Sequence, residues 1–217
     1  MEIEKKLNQA ASIAYSTKQT ILNTYNLAKE MMQIEGCFVE CGIGAGSQIM
    51  AMQLASQGSK EIYAFDSFEG IPMAGEHDET QPGIGEIKHD KYAPLRERLV
   101  SSGITSHSES SVVSNFNQFG ISLENIHLVK GWFQDTLSGY DTGSISLLRL
   151  DGDLYESTMV CLENLYPLLV IGGVCIIDDY ALEGARKAVR DYFNINGNIP
   201  KMIEVDGGMG VEYFYKK

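Results

Sequence analysis

The chain of 217 residues carries 17 basic and 29 acidic side chains, a formal net charge of −12 at pH 7. A surface this acidic repels phosphate backbones and anionic lipids, so neither nucleic acid nor a membrane is an expected partner. No stretch reaches the roughly 20 apolar residues of a membrane span, and the first residues lack the apolar core of a signal peptide, so a cytoplasmic protein is predicted.

A helical pattern over residues 3–35 begins the chain, and short apolar runs then alternate with helical stretches. Ile21, Tyr25 and Ala28 recur at spacings of three and four residues, which predicts a helical extension over 1–35. The runs have apolar residues on both faces, as buried parallel strands do. The predicted strands are 37–41, 61–65, 126–129, 145–150 and 174–177, and the predicted helices are 47–57, 90–101, 108–118, 154–170 and 183–193.

This alternation of strands and helices predicts an open, doubly wound α/β sheet. The last part of the chain differs, because KMIEV (201–205) and VEYFY (211–215) are separated by a glycine turn with no helix between them. Two strands joined in this way form an antiparallel hairpin that closes the sheet. With no long linker in between, the whole of 1–217 is predicted to be one domain.

Residues 69–90 are rich in glycine, proline and charge and resist assignment to a helix or strand. A loop of about 20 residues is unusual within a compact domain and often has a function. It follows the second predicted strand, on the side where such sheets bind ligands. We interpret it as a flap over the site; the alternative is a surface insertion without a role.

A glycine-rich turn, residues 40–47 (ECGIGAGS), leads from the first strand into a helix. Glycines let the backbone approach a ligand, and the helix start offers free N–H groups. Its spacing is GxGxG, not the GxGxxG typical of dinucleotide sites. The carboxylate of Glu40 suits an ammonium group or a ribose hydroxyl and repels pyrophosphate. The motif therefore favours S-adenosylmethionine (SAM), which has no phosphate, over a turn without a ligand.

Two further groups are expected to contact a nucleoside. Asp66 lies 20 residues after Gly46, at the end of the second strand, where an acidic residue holds ribose hydroxyls. Trp132, Phe133 and Gln134 follow the third strand, and an aromatic ring and an amide there suit adenine. The alternatives are a turn role for Asp66 and simple core packing of Trp132.

Four aspartates follow neighbouring strands of the predicted sheet. Asp151 and Asp153 come after the fourth strand, and Asp178 and Asp179 come after the fifth. Because parallel strands end side by side, Asp151, Asp178 and Asp179 should converge, and they would repel one another without a cation. All-oxygen ligands suit Mg²⁺ or Ca²⁺. The alternative is that these aspartates cap the helices that follow, as Asp153 is expected to do.

Together these motifs resemble the macrocin-type O-methyltransferases, which are SAM- and metal-dependent enzymes that methylate sugar hydroxyls. The resemblance runs from about residue 37 to residue 180, and its most specific blocks are LRLDGDLYEST and IIDDY. It implies a class I SAM-dependent methyltransferase (Rossmann-like) fold with a mostly parallel seven-stranded sheet. It also implies that Asp151, Asp178 and Asp179 hold Mg²⁺.

The same resemblance assigns roles to individual residues. Asp151 is the implied catalytic base, and the absence of a lysine shortly after it favours a carboxylate base over the lysine of catechol-type enzymes. Together with the glycine and aromatic motifs, the predicted SAM-binding residues are Glu40, Gly42, Gly44, Gly46, Asp66, Ser67, Phe68, Trp132, Phe133 and Gln134.

The sequence therefore predicts an O-methyltransferase that uses SAM and Mg²⁺ to methylate a hydroxyl of a small molecule, either a sugar or a phenolic natural product. One alternative is a SAM- or nucleotide-binding protein without catalysis, with a regulatory or assembly role. A nicotinamide-dependent oxidoreductase is disfavoured by the GxGxG spacing and by the paired acidic residues. The amphipathic N-terminal helices could pack on a second copy of the chain as a homo-oligomer.

Overall fold

The computed structural model describes residues 1–78, 91–197 and 199–217. Most of the predicted flap, residues 79–90, lies outside the described residues. In the described part of the chain, no helix combines the length and apolar character needed to cross a membrane.

Helices and strands alternate through most of the chain. The helices are α1 (Glu2–Ser12), α2 (Lys18–Met31), α3 (Ser47–Ser56), α4 (Leu95–Arg98), α5 (Glu109–Phe119), α6 (Phe133–Thr136), α7 (Tyr155–Leu165) and α8 (Glu183–Asn196). The strands are β1 (Cys37–Cys41), β2 (Ile62–Asp66), β3 (Ile126–Lys130), β4 (Ile145–Leu150), β5 (Leu169–Ile177), β6 (Ile203–Glu204) and β7 (Glu212–Tyr215).

The strands form one seven-stranded sheet in the order β3-β2-β1-β4-β5-β7-β6. The first five strands pair in parallel, and β7 runs antiparallel to both β5 and β6. This confirms the predicted mostly parallel sheet with a closing hairpin. The chain moves outward from β1 to β3 and returns to place β4 beside β1. Ligands of such sheets bind at this reversal, outside the carboxyl ends of the strands.

The core lies on both faces of the sheet, because successive side chains of a strand point in opposite directions. In β1, Phe38 packs on the face covered by α1, α2, α3 and α5, whereas Val39 packs on the face covered by α7 and α8. Both side chains are fully buried. This double burial explains why the central strands are apolar on both faces, apart from one charged residue in each of β1 and β4.

Three predicted helices differ from those observed. The helix predicted over 154–170 ends at Leu165 in α7, and β5 begins at Leu169, before the predicted strand over 174–177. The pattern over 3–35 is interrupted between α1 and α2, and Thr17 caps α2 by accepting the Thr20 N–H at 3.3 Å. Of the predicted helix over 90–101, the described residues 91–101 are helical only in α4. Pro94 has no N–H to donate and disfavours a helical conformation in the residue before it, so a longer helix cannot pass through this position.

Candidate active site

A cavity of about 300 Å³ opens at the carboxyl edge of the sheet, where β1 and β4 meet. It brings together the glycine turn, the end of β2, the start of α6 and the aspartates that follow β4 and β5. Among the predicted site residues, the lining includes Gly42, Gly44, Asp66, Ser67, Trp132, Phe133, Gln134, Asp151, Asp178 and Asp179. Glu40, Gly46 and Phe68 are not among the residues that line it.

Another part of the wall comes from segments that are distant in sequence. Residues 13–17, between α1 and α2, contribute to the lining, as do Gly208, Met209 and Val211 of the C-terminal hairpin. The Thr17 hydroxyl donates a hydrogen bond to the Gly207 carbonyl at 2.9 Å. The two segments therefore form one continuous wall.

The three glycines of the turn differ in what they allow. Gly42 has φ +85, and a Cβ there would lie 1.7 Å from the carbonyl oxygen of Asp151. Gly42 therefore lets the turn pack against the backbone that carries the acidic motif. A Cβ at Gly46 would lie 3.0 Å from Val112, whereas one at Gly44 would meet nothing within 4 Å. Only Gly44 leaves open space, on the side of the cavity.

Asp66 organises the glycine turn. One carboxylate oxygen accepts the N–H groups of Ile43 and Gly44 at 2.8 and 3.3 Å, and the other accepts that of Phe68 at 2.6 Å. Burial raises the pKa of Asp66, and these hydrogen bonds oppose the rise. Asp66 therefore stabilises the turn, as the alternative interpretation of this residue predicts. The oxygen that accepts the Phe68 N–H receives only that one of these bonds and can still accept a second one from a ligand in the cavity.

Gln134, which lines the cavity, has a hydrogen-bond donor without a partner in the described part of the chain. Its Nε2 atom is buried and has no hydrogen-bond partner within the described residues. A buried donor without a partner is costly and usually has an explanation such as a ligand. The half-buried ring of Trp132 lines the same cavity. An amide and an aromatic ring at one edge fit a nucleobase, so the cavity suits the adenosine part of SAM.

Arg149, on β4, is the functional residue that the sequence analysis missed. Its side chain is fully buried, and Nη1 donates to Glu40 Oε1 at 2.5 Å and to Asp151 Oδ2 at 2.9 Å, while Nη2 donates to Asp178 Oδ1. The run ISLLRL predicts a buried apolar strand, and that prediction leaves its arginine without an explanation. A charged residue inside a buried strand needs partners of opposite charge, and this was the available signal.

Glu40 lies below the cavity, beside this guanidinium. Burial raises the pKa of Glu40 to about 7, and the charge of Arg149 opposes the rise. Its second oxygen, Oε2, is buried without a hydrogen-bond partner among the described residues. The predicted contact between Glu40 and SAM stays a prediction.

Three carboxylates form a group that could hold a cation. Oxygen atoms of Asp151, Asp153 and Asp179 lie within 4.8 Å of one another. Burial raises the pKa of Asp153 to about 7, and the charge of Asp178 adds to the rise. Burial and neighbouring carboxylates also raise the pKa values of Asp151 and Asp179. A divalent cation would relieve this repulsion, and the oxygen donors fit Mg²⁺ or Ca²⁺.

The group overlaps the predicted metal set without matching it. Asp151 and Asp179 belong to both, but Asp178 is bonded to Arg149, and Asp153 stands in its place. The expectation that Asp153 caps α7 is wrong. Leu154 occupies the N-cap position without a side-chain cap bond, and the first helical N–H, that of Tyr155, is accepted by a distant carboxylate.

Solved structures share this fold. The structure of the O-methyltransferase NovP superposes with a TM-score of 0.76 and 27% identity, covering 93% of this chain and 81% of that chain. The calicheamicin methyltransferase CalS11 superposes with a TM-score of 0.71 at 18% identity, covering 90% of this chain and 78% of that one, and supports the fold alone. The fold is that of the class I SAM-dependent methyltransferases.

Sequence comparison gives the family. The family model described as macrocin-O-methyltransferase (TylF) matches residues 16–217, and the chain belongs to this family. It is 37% identical over 180 residues to the 8-demethyl-8-(2,3-dimethoxy-α-L-rhamnosyl)-tetracenomycin-C 4′-O-methyltransferase of Streptomyces olivaceus, and 32% identical over 166 residues to the demethyldecarbamoylnovobiocin O-methyltransferase of Streptomyces niveus. The matches cover 80% and 73% of this chain but only 64% and 58% of those relatives.

Proposed function

We propose that the chain is an O-methyltransferase that moves the methyl group of SAM to a hydroxyl of a small molecule, with a bound Mg²⁺. One observation carries the proposal: the same cavity is lined by residues that suit a nucleoside, such as Gln134, and by the half-buried group of Asp151, Asp153 and Asp179. The names of the relatives, which include a rhamnosyl-bearing tetracenomycin and a novobiocin precursor, support a sugar or phenolic natural product as the acceptor.

The cofactor would lie along the edge formed by the glycine turn and α6. Gly44 provides room for it, Asp66 and Ser67 accept hydrogen bonds from its hydroxyl groups, and Gln134 donates its free N–H. Bound SAM supplies a methyl group that is already activated. The task of the chain is therefore to place the acceptor oxygen and remove its proton.

The acceptor would lie beside the aspartates. Asp151 and Asp179, with Asp178 or Asp153 as a third ligand, would hold the divalent cation, which would supply Lewis-acid activation of the acceptor hydroxyl. We assign to a carboxylate oxygen of Asp151 the role of taking up the hydroxyl proton. Alignment can lower a barrier by about 7–11 kcal/mol, whereas a positioned base adds about 10²–10⁴-fold. Placement by the cavity is thus the larger contribution.

S-adenosylhomocysteine (SAH), the demethylated product of SAM, is expected to stabilise the protein in a thermal-shift assay, and NAD⁺ is not. A ligand at about 100 times its Kd stabilises the native state by about 2.7 kcal/mol. Gln134→Leu should reduce the shift, and Gln118→Leu, an exposed change on α5, should preserve it. A shift with NAD⁺ and none with SAH would instead favour a dinucleotide enzyme.

Exhaustive treatment with EDTA is expected to abolish methyl transfer to a panel of catechols and sugars, and added Mg²⁺ is expected to restore it. The reason is that the half-buried carboxylates of Asp151, Asp153 and Asp179 would hold the cation on which the proposed reaction depends. Transfer of the methyl group from radiolabelled SAM measures the effect. Full activity after removal of all divalent metal would contradict the Mg²⁺ assignment.

A further inference from the structure

We propose that Asp78 is a positioning residue that fastens an anchor segment, residues 70–78, to the start of α7 and so fixes the acceptor side of the cavity. The proposal rests on the methyltransferase function proposed above. Asp78 lies outside the aspartate group, and its carboxylate lies against the starts of both α7 and α8.

The first contact is with the start of α7. Asp78 Oδ1 accepts the N–H of Tyr155 at 2.8 Å, and Oδ2 accepts the N–H of Gly75 at 2.7 Å. The first N–H groups of a helix have no partner within the helix. Leu154 provides no side-chain cap. Asp78 therefore caps α7 from 77 positions away in the sequence.

The second contact is with the start of α8, where Gly184 leaves room for the carboxylate. A Cβ on Gly184 would lie 2.0 Å from Asp78 Oδ1. Since Gly184 is within a helix, where alanine is ordinarily more favourable than glycine, helix propensity alone does not account for glycine here. The close fit links the anchor segment to α8 as well as to α7.

Neighbouring contacts hold the same segment. The ring of His77 lies edge-on to that of Tyr155, with centroids 4.3 Å apart. Arg98, which is buried, pairs with Glu156 of α7 at 2.5 Å. A Cβ on Gly75 would lie within 2.8 Å of both members of that pair, so the segment passes directly over it. The anchor segment is thus fixed at several adjacent points on α7.

The anchor segment reaches the site through both of its ends. Gly70, Ile71 and Pro72 line the cavity, and α7 begins two residues after Asp153. Asp153 has a left-handed backbone, with φ +57, and its N–H is held by Asp179 at 2.8 Å. Fastening the segment to Tyr155 therefore fixes the cavity wall and the backbone of the acidic motif relative to one another.

Hydrogen exchange measured by NMR tests the fastening without any acceptor. Asp78→Ala is expected to speed exchange of the Tyr155 amide at least tenfold, and Asp78→Asn to restore part of the protection, because its amide oxygen still accepts one N–H. Glu76→Ala, an exposed change in the same segment, is the matched control and should change nothing. Unchanged protection of Tyr155 in Asp78→Ala would overturn the proposal.

A second variant tests the close contact between Asp78 and Gly184 by changing the glycine. Gly184→Ala should displace the carboxylate and reproduce the effect of Asp78→Ala, while the double variant Asp78→Ala with Gly184→Ala should be no worse than either single one, since the same contact is lost only once. Additive effects on exchange would contradict a shared contact.

Kinetics then test the positioning role with the catechol and sugar panel. Asp78→Ala is expected to raise the acceptor KM about tenfold and to leave SAH affinity within twofold, because the Asp78 carboxylate contacts the start of α7, beside the aspartates, and not the glycine turn or α6. An unchanged KM together with lost amide protection would overturn the positioning role. Absence of turnover by the unmodified protein would count against the proposed function, and the exchange rate of Tyr155 would still decide the fastening.

Discussion

Asp151→Asn is expected to lower turnover by about 10²–10⁴-fold, the usual contribution of a positioned base, while SAH still binds. The amide cannot take up a proton, but it keeps the shape of the side chain and can still accept from Arg149, which is 2.9 Å away. Turnover is measured at saturating Mg²⁺, so that weaker metal binding does not account for the loss. SAH affinity is measured by calorimetry.

The matched control for this prediction is Asp141→Asn, an exposed change in the loop before β4. It should leave both turnover and SAH affinity unchanged. Near-normal turnover of Asp151→Asn at saturating Mg²⁺ would rule out Asp151 as the base. Another group in the cavity would then have to accept the proton of the acceptor hydroxyl.

Arg149→Met is expected to lower the free energy of unfolding by about 3–5 kcal/mol, as the loss of one partner from a buried ion pair does. Methionine fills similar space but leaves the carboxylates of Glu40, Asp151 and Asp178 without their shared cation. Mutation of a residue that orients metal ligands typically lowers metal affinity by about 10–100-fold, so the Mg²⁺ affinity of Arg149→Met should also fall by that amount. Urea denaturation and calorimetry measure the two effects.

Two variants sharpen the result for Arg149. Arg149→Lys keeps the charge but not the fork of separate N–H groups that reaches three carboxylates, so a partial loss is expected. Arg96→Met removes an exposed pair with Asp135, and such pairs contribute about 0–1 kcal/mol. Stability and Mg²⁺ affinity of Arg149→Met equal to those of Arg96→Met would contradict a central role for the buried guanidinium.

The sheet could be predicted largely from the sequence, because its pattern is local. Strands β1 and β4 have the predicted bounds, since each is a mostly apolar run with one charged residue that is followed by a glycine or an aspartate. The predicted C-terminal hairpin is also confirmed, because two short strands joined by a glycine turn form a local pattern as well. The convergence of Asp151 and Asp179 also followed from the topology, because adjacent parallel strands end at the same edge.

The pairing of polar side chains could not be predicted in this way. Arg149 and Glu40 are 109 positions apart, and nothing in a periodic pattern indicates which buried charges meet. The cap of α7 shows the same limit. Aspartate next to a helix start suggested Asp153, whereas the acceptor of the Tyr155 N–H is Asp78, which approaches through space from another segment.

The hydrogen bond between Thr17 and Gly207 closes the cavity across 190 positions of sequence. A wall of this kind has a high contact order: it exists only after the sheet and its hairpin have assembled. A ligand that touches this wall and the glycine turn would hold together segments that are far apart in the sequence. Its binding energy would therefore oppose the separation of these segments, whereas a ligand on a single loop would oppose only the opening of that loop.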